Sequence, residues 1–174
     1  REVLATLLWT NSDDAYAKKN LRNVLSNLRT LLGSFLKIDR ETVALQTQLV
    51  EPIDALRFVA LVKEAGQLPS ASPLRRAVLA AAVALYQGIF LDGFHLADAD
   101  AFDEWLRSER ERFHRLAMQA LTELVSYSLE HAQCLEGITY ATQLLALDPL
   151  HEETHRQLML LLALDGQQSA ALAH

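Results

Sequence analysis

Apolar residues recur at spacings of three and four along most of the chain, which is the repeat of an amphipathic helix. In the first fifty residues this repeat predicts a short helix that ends near Trp9 and a longer helix over residues 15–32. The Asn, Ser and Asp side chains at positions 11–14 predict a turn and an N-cap between the two helices. Gly33 suits the C-terminus of the longer helix. That helix carries one continuous apolar stripe, made of Ala17, Leu21, Val24, Leu25, Leu28, Leu31 and Leu32.

Two short runs with alternating apolar side chains follow the longer helix, at residues 35–39 and 42–46. Alternation with a period of two is typical of strands, so the runs predict a β-hairpin with Arg40 at its tip. Residues 48–52 are predicted to form a connector.

Beyond the connector the pattern is helical to the end of the chain. A helix is predicted to begin at residue 53, and others over residues 74–87, 99–131, 134–147 and 151–165, with a last one after Gly166. The short connections after residue 110 favour antiparallel helix pairs, and Pro149 lies where one tetratricopeptide repeat would end and the next begin. The sequence therefore predicts a mainly α protein with a small β-hairpin and a tetratricopeptide-like set of αα-hairpins.

The composition is that of a folded helical protein. With 174 residues, 51% hydrophobic side chains, six Gly and four Pro, the chain can form one large domain or two small ones. The lone Cys134 has no partner within the chain, which favours a reducing compartment, and we expect a cytoplasmic protein. No apolar run is long enough to cross a membrane. The sequence starts and ends inside helical patterns, so we expect a fragment of a longer protein.

The distribution of charge changes this picture. The whole chain has a formal net charge of −6, yet residues 1–50 hold seven basic and five acidic side chains. Residues 15–36 contain four basic side chains and no acidic one. A positive helix next to an acidic remainder suggests an element that faces a polyanion, and DNA is the first candidate.

The polar side of the 15–32 helix mixes cationic groups with amides and hydroxyls. Arg and Lys pair with phosphate or guanine, and Asn makes a bidentate contact with adenine, so such a face fits a DNA groove. The expected phosphate contacts are Lys18, Lys19 and Arg29. The expected contacts to base edges are Arg22, Asn23, Ser26 and Asn27. The alternative is a solvated face of an ordinary bundle helix.

Arg40 at the hairpin tip is a further DNA-binding candidate. It would approach a phosphate or the minor groove, although an exposed turn arginine without any role is an equal alternative. A short helix, a turn, a basic helix and a hairpin, in this order, form the second half of a winged helix-turn-helix, whose second helix enters the major groove.

Two later segments carry a specific resemblance. Residues 85–94, LYQGIFLDGF, and residues 102–112, FDEWLRSERER, resemble the signature stretches of the bacterial transcriptional activator domain family, which includes regulators of antibiotic pathways. The resemblance implies that residues 1–50 are the C-terminal part of a winged helix-turn-helix domain and that residues 51–174 are the activator domain. It also implies that the first strands and helix of the DNA-binding domain precede residue 1. Ile89 departs from the family pattern, since relatives often carry an acidic residue there.

The resemblance implies a DNA-binding transcriptional regulator that binds double-stranded promoter DNA and recruits RNA polymerase. Since no apolar run is long enough to cross a membrane, no membrane partner is expected. Self-association is a second kind of protein contact that the resemblance leaves open. The alternative is a protein-interaction module of the tetratricopeptide type without DNA binding. Neither function is enzymatic, and no cofactor is predicted.

The aromatic residues of the two signature segments are expected to pack where the helical arms meet, with Gly88 and Gly93 allowing a tight connection. They are Tyr86, Phe90, Phe94, Phe102 and Trp105.

Residues 151–155, HEETH, match the zinc-peptidase pattern HExxH. Pro149 places the two histidines in a first helical turn, and positions 158 and 161 are both Leu where the extended motif needs Gly and His. We therefore expect neither a metal site here nor a nucleophile at Cys134.

Overall fold

The computed structural model describes residues 1–46 and 53–174, and this part of the chain is mainly helical with one small two-stranded sheet. The predicted fold class is thus confirmed. The predicted connector at residues 48–52 lies outside the described residues. The strands are β1 (Leu36–Ile38) and β2 (Val43–Leu45). The helices are α1 (Glu2–Leu8), α2 (Asp14–Leu32), α3 (Asp54–Ala65), α4 (Pro73–Leu85), α5 (Asp100–Glu130), α6 (Cys134–Leu147), α7 (Glu152–Leu164) and α8 (Gln168–Ala173).

The described residues form two compact units that do not follow the order of the chain. The first unit contains Arg1–Ile53 and Phe90–Arg110, and the second contains Asp54–Ile89 and Glu111–His174. Helix α5 therefore contributes residues to both units. The division of the sequence into domains 1–50 and 51–174 stays a prediction, because it concerns sequence modules and not packing.

Local signals in the sequence set the ends of α2. The Asp13 carboxylate accepts a hydrogen bond from the Ala15 amide at 3.2 Å and so caps the helix. Gly33 closes the helix with φ +49°, a conformation that glycine adopts without strain. The core of this region is formed by Ala5, Ala17, Leu21 and Leu25, which pack with Leu4, Trp9, Leu28, Ile38 and Val43.

The apolar stripe of α2 is narrower than its sequence predicts. Ala17, Leu21 and Leu25 are buried, whereas Leu31 is 79% exposed and Val24 and Leu32 are exposed as well. At 100° per residue, Val24 and Leu31 fall on one flank of the stripe, and Leu32 is the last residue of the helix. The short α1 and the small hairpin cover the centre of the stripe only.

The turn of the hairpin is closed by hydrogen bonds to Asp39. Strands β1 and β2 are antiparallel, with Leu36 opposite Leu45 and Ile38 opposite Val43. The Asp39 carboxylate accepts hydrogen bonds from the amides of Glu41 (2.9 Å) and Thr42 (2.7 Å) and from the Thr42 hydroxyl (2.6 Å). Arg40 therefore lies on a fixed tip.

Among the described residues of the second unit, two adjoining apolar clusters lie between its helices. One contains Leu79 of α4, Leu121 and Leu124 of α5 and Leu144 of α6. The other is formed by Val125, Ala141, Leu158, Leu161, Leu162 and Ala171. Helix α3 packs on α4, α6 on α7, and α7 on α8.

Hydrogen bonds of the Arg75 side chain connect α3, α4 and α5 in the second unit. The Arg75 guanidinium donates from Nη1 to the carbonyls of Ala65 (2.8 Å) and Leu68 (2.9 Å) and from Nη2 to the Glu123 carboxylate (2.7 Å). These bonds satisfy the carbonyl of Ala65, the last residue of α3, and that of Leu68 in the following loop, and they tie α4 to α5, which carries Glu123.

Helices α5, α6 and α7 approach each other closely at Gly137. A Cβ built there would lie 2.8 Å from the Leu161 Cδ2 atom and 2.9 Å from the Ser128 Cβ atom. Leu161 and Ser128 are fully buried, so neither can move away cheaply. Only glycine fits this contact.

We predict that Gly137→Ala destabilises the protein by about 1–2 kcal/mol, since the overpacking outweighs the better helix propensity of alanine. Thermal unfolding measures the effect. Thr139→Ala, at an exposed position of the same helix, is the control and should change stability little. Equal stability of the two variants would contradict the close contact.

Candidate nucleic-acid interface

The polar face of α2 points into solvent along the whole helix. Burial of Ala17, Leu21 and Leu25 fixes which side of α2 meets the core, and the polar side chains lie on the other side. Seven of them are exposed: Lys19, Arg22, Asn23, Ser26, Asn27, Arg29 and Thr30. The structure thus places six of the eight sequence-derived candidates on one exposed helix surface.

Helix geometry orders these side chains further. At 100° per residue, Lys19, Asn23, Ser26 and Thr30 form a row opposite the buried stripe. Arg22 and Arg29 lie on one flank of that row. Thr30 donates from its hydroxyl to the Ser26 carbonyl at 3.2 Å, and the Ser26 side chain is exposed.

Lys18 differs from the other basic residues of α2 because it forms ion pairs with two carboxylates of the chain. Its Nζ lies 2.7 Å from the Asp14 carboxylate and 3.6 Å from the Glu2 carboxylate. The hydrogen bond with Asp14 raises the pKa of Lys18 above its usual value. Lys18 keeps its charge, but a DNA phosphate would have to compete with these carboxylates for it.

Arg22 is held by a weaker contact. Its Nε donates to the Lys18 carbonyl at 3.2 Å, one turn earlier in the helix. This bond uses one of the five donors of the guanidinium, and the two terminal nitrogens extend beyond it. Arg22 can therefore keep this contact and still form a bidentate pair with a phosphate or a guanine.

The hairpin tip and α2 share one basic cleft of about 300 Å³. Arg40 reaches this cleft from the hairpin, and Lys18 and Arg22 reach it from α2. Arg1 adds a fourth cation, Glu2 is the acid in the lining, and Leu21 and Leu25 form an apolar part of it. Arg40 thus lies beside the helix candidates and not apart from them.

The sequence did not reveal that residues 90–110 pack onto α1. Ala99, Phe102 and Leu106 form a buried cluster, against which Leu7 and Leu8 of α1 pack. The leucines of α1 indicated that this helix has a second apolar contact besides α2 and the hairpin. Periodicity shows that a helix face is apolar, but it does not show which segment covers that face.

The expected packing of the aromatic residues is therefore partly wrong. Phe102 is buried, but it packs beside α1, while Phe94 (46%) and Trp105 (39%) are exposed. Tyr86 alone of the five belongs to the second unit, where its ring lies 5.7 Å from that of Phe58. The cause is that the signature segments are divided between the two units.

Both HExxH histidines contact other groups of the chain. The His151 Nδ1 atom accepts a hydrogen bond from the Thr154 amide at 3.3 Å and so caps α7. The His155 ring contacts the Pro149 carbonyl (2.9 Å) and the His174 ring (2.7 Å). In the part of the chain that the structure describes, no group of three or more His, Cys, Asp or Glu side chains could hold a metal ion.

None of the helices within residues 1–46 and 53–174 has both the length and the apolar character needed to cross a membrane.

Comparison with known families connects the second half of this architecture to a regulatory role. Residues 53–174 match the family model described as the bacterial transcriptional activator domain. The match covers more than half of the chain and begins after α2 and the hairpin, so it does not include the basic face. No curated protein matches the chain.

The turn that carries Arg40 gives a prediction about pH. Hydrogen bonds from Thr42 and Glu41 lower the pKa of Asp39 from 3.8 to about 2. Because the pKa of Asp39 is lower in the folded than in the unfolded chain, its ionised carboxylate stabilises the fold. This contribution is complete above pH 3.8 and is lost as the pH falls through about 2.

A ¹³C titration of the side-chain carboxyls should therefore show a midpoint for Asp39 of about 2. Thr42→Val removes one donor and should raise that midpoint, while Asp39→Asn removes the titration altogether. A midpoint at the ordinary aspartate value in the unmodified chain would show that the turn bonds do not form.

Proposed function

The chain belongs to the bacterial transcriptional activator domain family, and from this premise we propose that it is a DNA-binding transcriptional regulator whose helix α2 reads the major groove of promoter DNA. The observation that carries the proposal is the exposed, acid-free face of α2 beside the basic hairpin tip. Because the family is regulatory, the proposal includes no catalytic step and no cofactor.

The proposed contacts fall into two classes. Lys19 and Arg29 bind phosphates, and Lys18 joins them once it leaves its carboxylate partners. Arg40 binds a phosphate next to the cleft or enters the minor groove. Base edges are contacted by Arg22, Asn23, Ser26 and Asn27.

The positions of Asn23, Ser26 and Arg29 around α2 support this division. Side chains opposite the buried stripe reach farthest into a groove, and those on a flank meet the phosphates along its edge. Asn23 and Ser26 are in the row and Arg29 is on the flank, in agreement with their proposed classes. Lys19 is in the row as well, so its long side chain must bend back from the groove to a phosphate. Arg22 is also on the flank, so its long side chain must reach around to a base edge.

We propose that the tetratricopeptide-like helices of the second unit make the protein contacts, with RNA polymerase or with a second copy of the chain. Several leucines of its last two helices support this, because they are exposed: Leu160, Leu164 and Leu172. The same leucines favour the second candidate function, a protein-interaction module without DNA binding.

The two functions are separated by selecting duplexes from a randomised pool with the full chain. The proposal predicts that one motif is enriched. Asn23→Ala should then lower the ratio of affinities for selected and scrambled duplexes by about tenfold, which is within the range for losing one bidentate base contact. Gln143→Ala, which removes an exposed amide from α6 of the second unit, should leave the ratio unchanged. No enriched motif, together with no effect of Asn23→Ala, would favour the protein-interaction module.

The salt dependence of binding tests the phosphate contacts separately. Arg29→Ala should weaken binding to selected and scrambled duplexes alike and lower the slope of log K against log salt by about 0.9, the contribution of one neutralised phosphate. Lys63→Ala removes an exposed cation from α3 and serves as the control. An unchanged slope for Arg29→Ala would remove Arg29 from the phosphate contacts.

A further inference from the structure

The turn between α1 and α2 is bonded to the first turn of α5. The Thr10 Oγ1 atom accepts a hydrogen bond from the Ala101 amide at 3.3 Å, and the Asn11 Nδ2 atom donates to the Asp100 carboxylate at 3.4 Å. The first amides of a helix have no partner within the helix, and a residue just before the helix usually caps them. Here the cap comes from a residue 91 positions away.

The Thr10 hydroxyl has a fixed orientation. It donates its own proton to the Thr6 carbonyl at 3.1 Å, so a lone pair remains for the Ala101 amide. Thr10 therefore joins the last turn of α1 to the first turn of α5. Side chains that lack an oxygen at this position cannot do so.

An apolar contact lies next to these hydrogen bonds. Leu7 and Leu8 of α1 pack against Phe102 and Leu106 of α5, which are 7% and 3% exposed. Helix α1 is only two turns long, and helices of that length are not stable without tertiary partners. It is therefore held on one side by α2 and on another by the start of α5.

The position of α1 matters for α2 because the turn between them is short. The Ser12 amide donates to the Trp9 carbonyl at 3.2 Å, and Asp13 then caps α2. A displacement of this turn would be passed to the first half of α2, which carries Lys19, Arg22 and Asn23.

We propose that residues 99–106 position the turn that precedes the recognition helix, so that the start of α5, although it lies within the region matched to the activator domain, is part of the DNA-reading unit. Thr10 and Phe102 are the positioning residues. The consequence for DNA rests on the proposed function, whereas the positioning of the turn does not.

The size of the effect follows from population arithmetic. If only a fraction f of molecules holds the turn in place, the apparent dissociation constant is the intrinsic value divided by f. A lost cap costs about 1 kcal/mol, so it lowers f by about fivefold at most.

The test compares two variants of the full chain. Thr10→Val keeps the shape of the side chain but removes the acceptor, and Thr10→Ser keeps the acceptor. Amide hydrogen exchange is measured for residues 7–14, with α6 and α7 as internal references, and the affinity for the selected duplex is measured in parallel. Phe102→Ala and Phe102→Leu form a second pair, for the apolar contact.

We expect Thr10→Val to speed up exchange in residues 7–14 by about fivefold, to leave α6 and α7 unchanged and to weaken duplex binding measurably, by at most about fivefold. Thr10→Ser should behave like the unmodified chain. The salt slope should not change, because no phosphate contact is removed.

Three different outcomes would each contradict one of the claims: the positioning of the turn, its role in DNA reading, or the proposed function. Unchanged exchange in residues 7–14 of Thr10→Val would overturn the positioning of the turn. Faster exchange without any loss of duplex affinity would overturn its role in DNA reading. If the unmodified chain prefers no duplex but Thr10→Val speeds up exchange, the proposed function fails and the positioning of the turn stands.

Discussion

The orientation of α2 about its own axis is the constraint on which the DNA-binding surface depends. Ala17, Leu21 and Leu25 are buried against α1 and the hairpin, and burial of one leucine side chain stabilises a protein by about 1.5–3 kcal/mol. Rotation of α2 by half a turn would expose both leucines and bury cationic side chains without partners, which costs considerably more. The polar face is therefore presented to solvent because the apolar face of α2 must pack against α1 and the hairpin.

Electrostatics then distinguishes basic residues that look equivalent in the sequence. Lys18 and Lys19 are neighbours, but Lys18 lies against Asp14 and Glu2 while Lys19 is exposed on the outward row. Asp14 lies in the first turn of α2 and Glu2 in the first turn of α1, where carboxylates suit the positive end of each helix dipole, so they stabilise the fold and at the same time compete for Lys18. The positive surface consequently lies along Lys19, Arg22 and Arg29 and continues to Arg40 through the cleft.

Periodicity predicted most of the secondary structure, because it reports which side of each helix is apolar. Helix α6 was predicted at residues 134–147 and is found there, and the hairpin was predicted with Arg40 at its tip. Periodicity does not report what covers an apolar side. For that reason the stripe of α2 was predicted too wide, and the packing of Phe102 beside Leu7 and Leu8 was not foreseen.

The candidate DNA contacts were predicted from residue type and from the helix face on which each residue lies. The carboxylates around Lys18 and the cap that Thr10 gives α5 are tertiary contacts, which no local pattern of the sequence encodes.

NMR chemical-shift mapping of the chain with a selected duplex can show whether Asn23 and Ser26, on the outward row of α2, contact the bases. We expect the largest amide shifts on binding at Asn23 and Ser26, smaller ones at the phosphate contacts Lys19 and Arg40, and unchanged amides in α6 and α7. Shifts concentrated in α7 and α8, with the signals of α2 unmoved, would contradict it.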